Sequence, residues 1–72
     1  MTEKIKQSEL KKRQIVGAAL ELFFENGYEG TSIRMIQNKV KSPVGLFYYY
    51  FESKDAVFEE AIKLFFENYE KE

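Results

Sequence analysis

The chain has 72 residues, 44% hydrophobic and 17% aromatic, with a net charge of −1 and neither cysteine nor histidine. This length holds one domain at most, and so many aromatic residues exclude a disordered polar chain. Without cysteine and histidine, a disulfide framework, a structural zinc site and an imidazole-based catalytic triad are excluded. No apolar run approaches the roughly 18 residues of a membrane span and no signal peptide opens the sequence. The sequence therefore predicts a cytoplasmic protein without a membrane partner.

Charge is divided unevenly along the chain. Residues 1–49 carry eight basic and five acidic side chains, a net +3, whereas residues 50–72 carry three and seven, a net −4. This asymmetry favours contact between the first part and a polyanion. Ordinary surface solubility explains the same distribution, so charge alone leaves both interpretations open.

The first predicted helix covers residues 8–26, where apolar side chains recur at the spacing of one helix face. That face consists of Ile15, Ala18, Ala19, Leu22 and Phe23. Residues 1–7 are expected to fray, with Ser8 as the candidate N-cap. Gly27 is the expected stop, because glycine readily adopts the left-handed conformation that closes a helix.

The second predicted helix, residues 32–40, has a narrow apolar stripe made of Ile33, Ile36 and Val40. Thr31 or Ser32 is its expected N-cap. A helix this short is not stable alone in water, so it is expected to depend on packing against its neighbours.

The third predicted helix, residues 43–50, is shorter still. Ser42 is its expected N-cap, and Pro43 takes the first helical position, where a missing N–H costs nothing. Phe47 and Phe51 lie four residues apart and therefore share a face, which we expect to anchor this helix to the core.

The fourth predicted helix, residues 54–70, is expected to start at an N-cap, Ser53. Its apolar positions are Val57, Phe58, Ala61, Ile62, Leu64, Phe65 and Tyr69. The far end of this helix, with Phe66 as well, carries more apolar surface than three short helices cover. It is expected to contact another domain or a second copy of the chain; wrapping of the small core is the alternative.

Two short helices joined by a tight turn and preceded by a longer helix form a helix-turn-helix pattern. In that arrangement the second short helix enters the major groove of DNA. The residues predicted to reach base edges are Arg34, Val44, Gly45, Leu46 and Tyr49. Aliphatic side chains can meet a thymine methyl group, arginine can bind guanine with two hydrogen bonds, and glycine allows close backbone approach.

A second set of residues is predicted to bind DNA phosphates: Thr31, Ser32, Tyr48, Tyr50 and Lys54. Phenol and hydroxyl groups donate to phosphate oxygens, and helix N-termini favour anions. Each residue also has a structural explanation, since hydroxyl residues cap helices and a lysine at a helix start is usually just exposed.

A family resemblance is carried by residues 13–15, Ala19, Leu22-Phe23, Gly27-Tyr28, Thr31-Ser32-Ile33, Ile36, Gly45, Phe47-Tyr48, Tyr50-Phe51 and Ser53-Lys54-Asp55. With these residues the chain resembles the TetR family of bacterial transcriptional regulators over nearly its whole length. The resemblance implies an all-α, homeodomain-like three-helix bundle with the start of a longer fourth linking helix. Residues 1–72 would form the DNA-binding domain of a ligand-released repressor in the bacterial cytoplasm, associated with the nucleoid.

The resemblance also assigns roles and partners. It implies the phosphate contacts of Thr31, Tyr48, Tyr50 and Lys54 and places the five predicted base-reading residues where family members read sequence. Double-stranded operator DNA is the expected partner. A C-terminal domain, absent from these residues, would provide a homodimer interface and a site for a small-molecule effector. No cofactor or metal is expected.

The chain departs from the family pattern near the turn. Gln37 and Val40 stand where small alanines are usual, and Ser42-Pro43 replaces a usual Val-Ser pair. Lys41 occupies a position that is commonly glycine. If Lys41 must adopt a positive φ, its side chain costs roughly 1 kcal/mol there.

Two other function classes are alternatives to DNA binding. The aromatic residues suit a helical protein-interaction module that does not bind DNA and docks a partner helix instead. An enzyme has little support, because adjacent acidic residues such as Glu59 and Glu60 are expected on a solvated helix face. No catalytic residue is predicted.

Overall fold

The computed structural model describes residues 7–70 of the chain, with the side chains of residues 9–43 and 45–67. Four helices follow one another in this range: α1 (Gln7–Asn26), α2 (Ile33–Val40), α3 (Val44–Tyr50) and α4 (Lys54–Glu70). No strand occurs within it, so the all-α prediction is confirmed. The predicted fraying of residues 1–6 falls outside the described part. Gln7 is already helical and Ser8 lies inside α1, so the predicted N-cap at Ser8 is wrong.

Helix α1 is the centre of the bundle, since it packs against both α2 and α4, and α2 in turn packs against α3. The buried apolar core is made of Ile15, Val16, Ala18, Ala19, Leu22, Phe23, Ile36, Phe47, Phe51, Val57 and Ala61. It includes every residue of the apolar face predicted for the first helix, together with both predicted anchors of α3. The short helices are therefore held by tertiary packing, as their length requires.

Three aromatic rings join the end of α1 to α4. Phe23 stacks on Tyr28 with 5.7 Å between ring centroids, and both rings meet Phe58 edge-on at 5.0 Å. Such arrangements contribute stability beyond the burial of area. They fix the start of the α1–α2 loop against the first turns of α4.

The α1–α2 loop starts at Gly27, whose φ of 79° and N–H bond to the Phe23 carbonyl (2.8 Å) close α1 as predicted. Thr31 is 1% exposed, and its hydroxyl lies within hydrogen-bond distance of the Leu22 carbonyl (3.0 Å) and the Gly27 carbonyl (2.9 Å). Ser32 alone is the N-cap of α2, accepting from the Met35 N–H at 3.1 Å. The loop is thus tied to α1 from within by one buried hydroxyl.

The turn between α2 and α3 depends on Lys41. Its φ of 55° and ψ of 46° lie in the left-handed region, as anticipated from the position that is commonly glycine. Its N–H bonds the Asn38 carbonyl at 3.2 Å, and the next N–H bonds the Gln37 carbonyl at 3.2 Å. The turn keeps its geometry at the expense of backbone strain on a non-glycine residue.

Helix α3 starts one residue later than predicted, and Ser42 does not cap it. Pro43 is the N-cap residue, with φ −61° and ψ 155° and no side-chain cap, while its carbonyl accepts from the Leu46 N–H at 3.1 Å. Ser42 lies one position too early to reach the first-turn N–H groups, and its buried Oγ has no hydrogen-bond partner. In contrast, Ser53 caps α4 as predicted, accepting from the Ala56 N–H at 3.1 Å.

Lys41→Gly should stabilise the fold, because glycine adopts the left-handed conformation without a Cβ penalty. We expect the free energy of unfolding to rise by about 0.5–1 kcal/mol in urea denaturation. Lys39→Gly, the same change inside α2, is the matched control and should lower it by about 1 kcal/mol. Equal destabilisation by both changes would contradict the strain at Lys41.

Thr31→Val keeps the shape of the side chain and removes the hydroxyl that ties the loop to α1. We expect a loss of about 1–3 kcal/mol in the free energy of unfolding, because a buried hydrogen bond disappears. Thr31→Ser retains the hydroxyl and should lose less. Thermal unfolding followed by circular dichroism measures both, and an unchanged melting temperature for Thr31→Val would refute the role of the hydroxyl.

Candidate nucleic-acid interface

Helix α3 has two unlike sides. Phe47 is 0% exposed and lies 5.7 Å from the ring of Phe51, so the back of the helix is sealed into the core. Tyr48 and Tyr49, the next two residues, are 55% and 75% exposed. A seven-residue helix therefore presents two large phenols to solvent while aromatic burial holds its other side.

The exposed phenols are ordered by neighbouring rings. Tyr48 meets Phe47 edge-on at 5.3 Å, and Tyr49 meets the half-buried Tyr50 at 4.9 Å. Aromatic side chains with two rotatable bonds lose little entropy when a partner binds them. This side of α3 is consequently a preformed surface with hydroxyl groups at its edge.

The predicted base-reading residues differ in their exposure to solvent. Arg34 on α2 is exposed, as are Gly45 and Tyr49 on α3, whereas Leu46 is half-buried against the core. The side chain of Val44 lies outside the described part, although the residue itself opens α3. A Cβ at Gly45 would meet no neighbouring atom, so the protein itself does not require glycine there.

The predicted phosphate ligands differ even more in their exposure to solvent. Tyr48 is exposed, Tyr50 is half-buried, and Ser32 is exposed while its oxygen caps α2. Thr31 requires a correction, because its hydroxyl is buried and engaged by two carbonyls and so does not face a polyanion. Its sequence position resembled a second cap, and only the folded loop shows that it points inward.

Lys54 is held by the α1–α2 loop. Its Nζ donates to the carbonyls of Tyr28 and Thr31, each at 2.8 Å, and lies 4.1 Å from the centroid of the Tyr28 ring. An ammonium has three donors, and the two carbonyls engage two of them. The lysine thus has a structural contact that its sequence position did not indicate.

Tyr28 makes a second contact with the start of α4, because its hydroxyl donates to Oδ1 of Asp55. This hydrogen bond raises the pKa of the Tyr28 hydroxyl above 10.0, and desolvation and the charges of Asp55 and Glu29 add to the effect. The hydroxyl therefore stays a donor at ordinary pH. Sequence reasoning missed this pair, because its members are 27 positions apart and no local pattern links them.

Basic side chains around α3 are mostly exposed. Lys39 lies 3.3 Å from Glu21, an exposed ion pair of small energetic value that leaves the lysine accessible. Lys12 of α1 places its Nζ 5.6 Å from the centroid of the Phe51 ring. With the exposed Arg34 and Lys41, these residues carry positive charge on α1, on α2 and in the α2–α3 turn, in accord with the predicted charge asymmetry.

A second exposed aromatic surface lies between α1 and α4. Phe24 and Phe66 are 66% and 52% exposed, and both rings lie 5.4 Å from that of Phe65. They border a shallow apolar groove whose floor includes Phe23 and Phe58. The predicted excess of apolar surface on α4 is therefore present at Phe66, whereas the side chain of Tyr69 lies outside the described part.

Within residues 7–70, no helix is long and apolar enough to cross a membrane. No group of three or more acidic side chains in that same range is arranged to hold a metal ion.

The chain is similar in sequence to known proteins. Residues 15–61 match the family described as bacterial regulatory proteins, tetR family. The chain is 39% identical over 64 residues to the HTH-type transcriptional regulator HbdR of Aromatoleum sp. (strain CIB), an alignment that covers 89% of this chain and 28% of that protein. No solved structure matches significantly.

A second relative is the biofilm operon icaADBC HTH-type negative transcriptional regulator IcaR of Staphylococcus aureus (strain Newman). It is 36% identical over 56 residues, which cover 78% of this chain and 30% of that protein. The chain thus spans less than a third of the length of either relative. Since the family match runs from the middle of α1 through the helix-turn-helix to the middle of α4, the chain belongs to the tetR family of bacterial regulatory proteins.

Proposed function

We propose that this chain is the DNA-binding domain of a transcriptional regulator and that α3 enters the major groove of an operator. The observation that carries the proposal is the division of α3 into a buried back, at Phe47 and Phe51, and an exposed front, at Tyr48 and Tyr49. The names of the relatives favour this function over a protein-interaction module. The proposal assigns no catalytic step to the chain.

In this proposal, side chains on the exposed front of α3 and on α2 read the base sequence of the DNA. Arg34 supplies a planar donor group for guanine, and Tyr49 is the most exposed aromatic side chain among the described residues. Gly45 allows the backbone of α3 to approach the base edges closely. Val44 belongs to this set because of its position at the start of α3. Leu46, which is half-buried, supplies an apolar contact to a base.

Phosphates are bound on either side of this front by Ser32, Tyr48, Tyr50 and Lys54. These groups lie at the N-cap of α2, on α3 and at the start of α4, so the phosphate contacts would come from three elements. Contacts of this kind position a protein on DNA without reading sequence. Thr31 is left out of the set, because its hydroxyl is buried.

The greater length of both relatives favours a natural regulator that continues beyond this domain. In such a protein a further domain forms a homodimer and binds a small-molecule effector that releases the DNA, in the bacterial cytoplasm at the nucleoid. Two heads on one dimer would bind half-sites about one helical turn apart. The relative IcaR is a negative regulator by name, which favours repression as the direction of control.

Lys54→Ala tests the phosphate side of the site. The 72-residue chain should bind a labelled random duplex with a dissociation constant of about 10⁻⁴–10⁻⁶ M, weakening steeply between about 50 and 200 mM salt. Lys54→Ala should weaken binding to every sequence and reduce the salt slope by about one. Lys63→Ala, at an exposed lysine of α4 beside Glu60, is the control and should change neither.

Fluorescence anisotropy at several salt concentrations measures both quantities. Binding that does not depend on salt, or no binding by the unsubstituted chain, would refute the DNA-binding proposal. Equal effects of the two lysine changes would refute only the role given to Lys54.

Tyr49→Ala tests the front of α3. We expect about tenfold weaker binding to duplex DNA, because an exposed aromatic contact of about 1–2 kcal/mol is lost without loss of fold. Phe66→Ala, at another exposed ring, which lies in the α1–α4 groove and is 52% exposed, is the control and should leave DNA binding unchanged. The opposite order of effects in the same anisotropy assay would favour docking through the aromatic groove.

A further inference from the structure

One residue of the α1–α2 loop contacts the start of α4 through three of its groups. The carbonyl of Tyr28 accepts from Lys54 Nζ, the face of its ring lies under the same ammonium, and its hydroxyl donates to Asp55. The two residues on α4 are adjacent in sequence. Tyr28 therefore contacts the first turn of α4 through its backbone carbonyl, the face of its ring and its hydroxyl.

The Tyr28 ring is itself fixed, which makes it a platform for these contacts. Phe23 stacks on one side at 5.7 Å, and Phe58 meets the ring edge-on at 5.0 Å. The bond to Asp55 then fixes the orientation of the first turn of α4 relative to that platform. A carboxylate in this turn also interacts favourably with the N-terminal end of the helix dipole.

The contact has a consequence for Lys54. A lysine side chain loses much rotamer entropy when it is held in one place. Here two carbonyls and an aromatic face hold the ammonium before any ligand arrives, so DNA binding need not pay that ordering entropy again. This pre-ordering depends on the distance between the loop and the first turn of α4, to which the Tyr28–Asp55 bond contributes beside the ring contacts with Phe58.

We propose that Tyr28 and Asp55 are a positioning pair for the phosphate side of the interface: neither touches DNA, and together they hold Lys54 where its third donor meets a phosphate. The inference rests on the proposed function, since it names what orders one ligand of that same site. It differs from a purely structural role, because it predicts weaker DNA binding by variants that remain fully folded.

Tyr28→Phe removes only the hydroxyl and keeps the ring between Phe23 and Phe58. At a temperature where the variant is fully folded, we expect about fivefold weaker binding to a labelled random duplex, the value of one lost hydrogen bond. Asp55→Asn retains an oxygen that accepts from Tyr28 and should bind nearly as the unsubstituted chain does. Asp55→Ala should match Tyr28→Phe.

A double-mutant cycle identifies the residue through which the pair acts. If Tyr28→Phe acts by misplacing Lys54, it should have no further effect on affinity in a Lys54→Ala background. Additive losses in the cycle would overturn the proposal. Unchanged DNA affinity of the folded Tyr28→Phe variant, together with weaker binding by Lys54→Ala, would overturn it as well.

A measurement without DNA separates this inference from the proposed function. The Lys54 ε-methylene protons should be shifted upfield in the NMR spectrum by the Tyr28 ring, retain that shift in Asp55→Asn, and move toward the free-lysine value in Tyr28→Phe. An unchanged shift in Tyr28→Phe overturns the positioning pair whatever the DNA result. If the unsubstituted chain binds no duplex, the proposed function fails, and the shift still decides whether the pair holds Lys54.

Discussion

Burial of Phe47 is the constraint on which the interface depends. A helix of seven residues has no stability of its own in water, because its nucleation cost exceeds what so few hydrogen bonds return. Full burial of one phenylalanine side chain contributes about 1.5–3 kcal/mol, and Phe51 adds a second anchor at the end of the helix. Because the back of α3, helped by the half-buried Leu46 and Tyr50, supplies this stability, the exposed Tyr48 and Tyr49 are free to serve a partner rather than the fold.

Much of this arrangement was predictable because it is local. The apolar face of α1, the stop at Gly27 and the cap at Ser53 follow from spacing or from the conformational range of one residue type. The positive φ at Lys41 was anticipated only from the family resemblance, in which that position is commonly glycine. The start of α3 was misplaced by one residue for a local reason as well. Serine and proline both favour helix starts, and the sequence alone does not say which of them takes the cap.

What the sequence left out is set by contacts that no helical spacing encodes. The inward turn of the Thr31 hydroxyl depends on the carbonyls of Leu22 and Gly27, and the Tyr28–Asp55 bond joins residues 27 positions apart. Neither leaves a periodic signal, since each depends on how the loop folds back over α1 and α4. A hydroxyl residue beside a helix start therefore looks like a ligand or a cap until its surroundings are known.

The same loop joins the two halves of the interface. It ends in the Ser32 cap of α2, and it holds Lys54 at the start of α4, so the elements on both sides of α3 share one support. Lys54 contacts the loop directly, whereas the ring of Phe47 lies against Tyr48 and Phe51 at the other side of the interface. Affinity for a polyanion can therefore change while the fold of the helix-turn-helix stays intact.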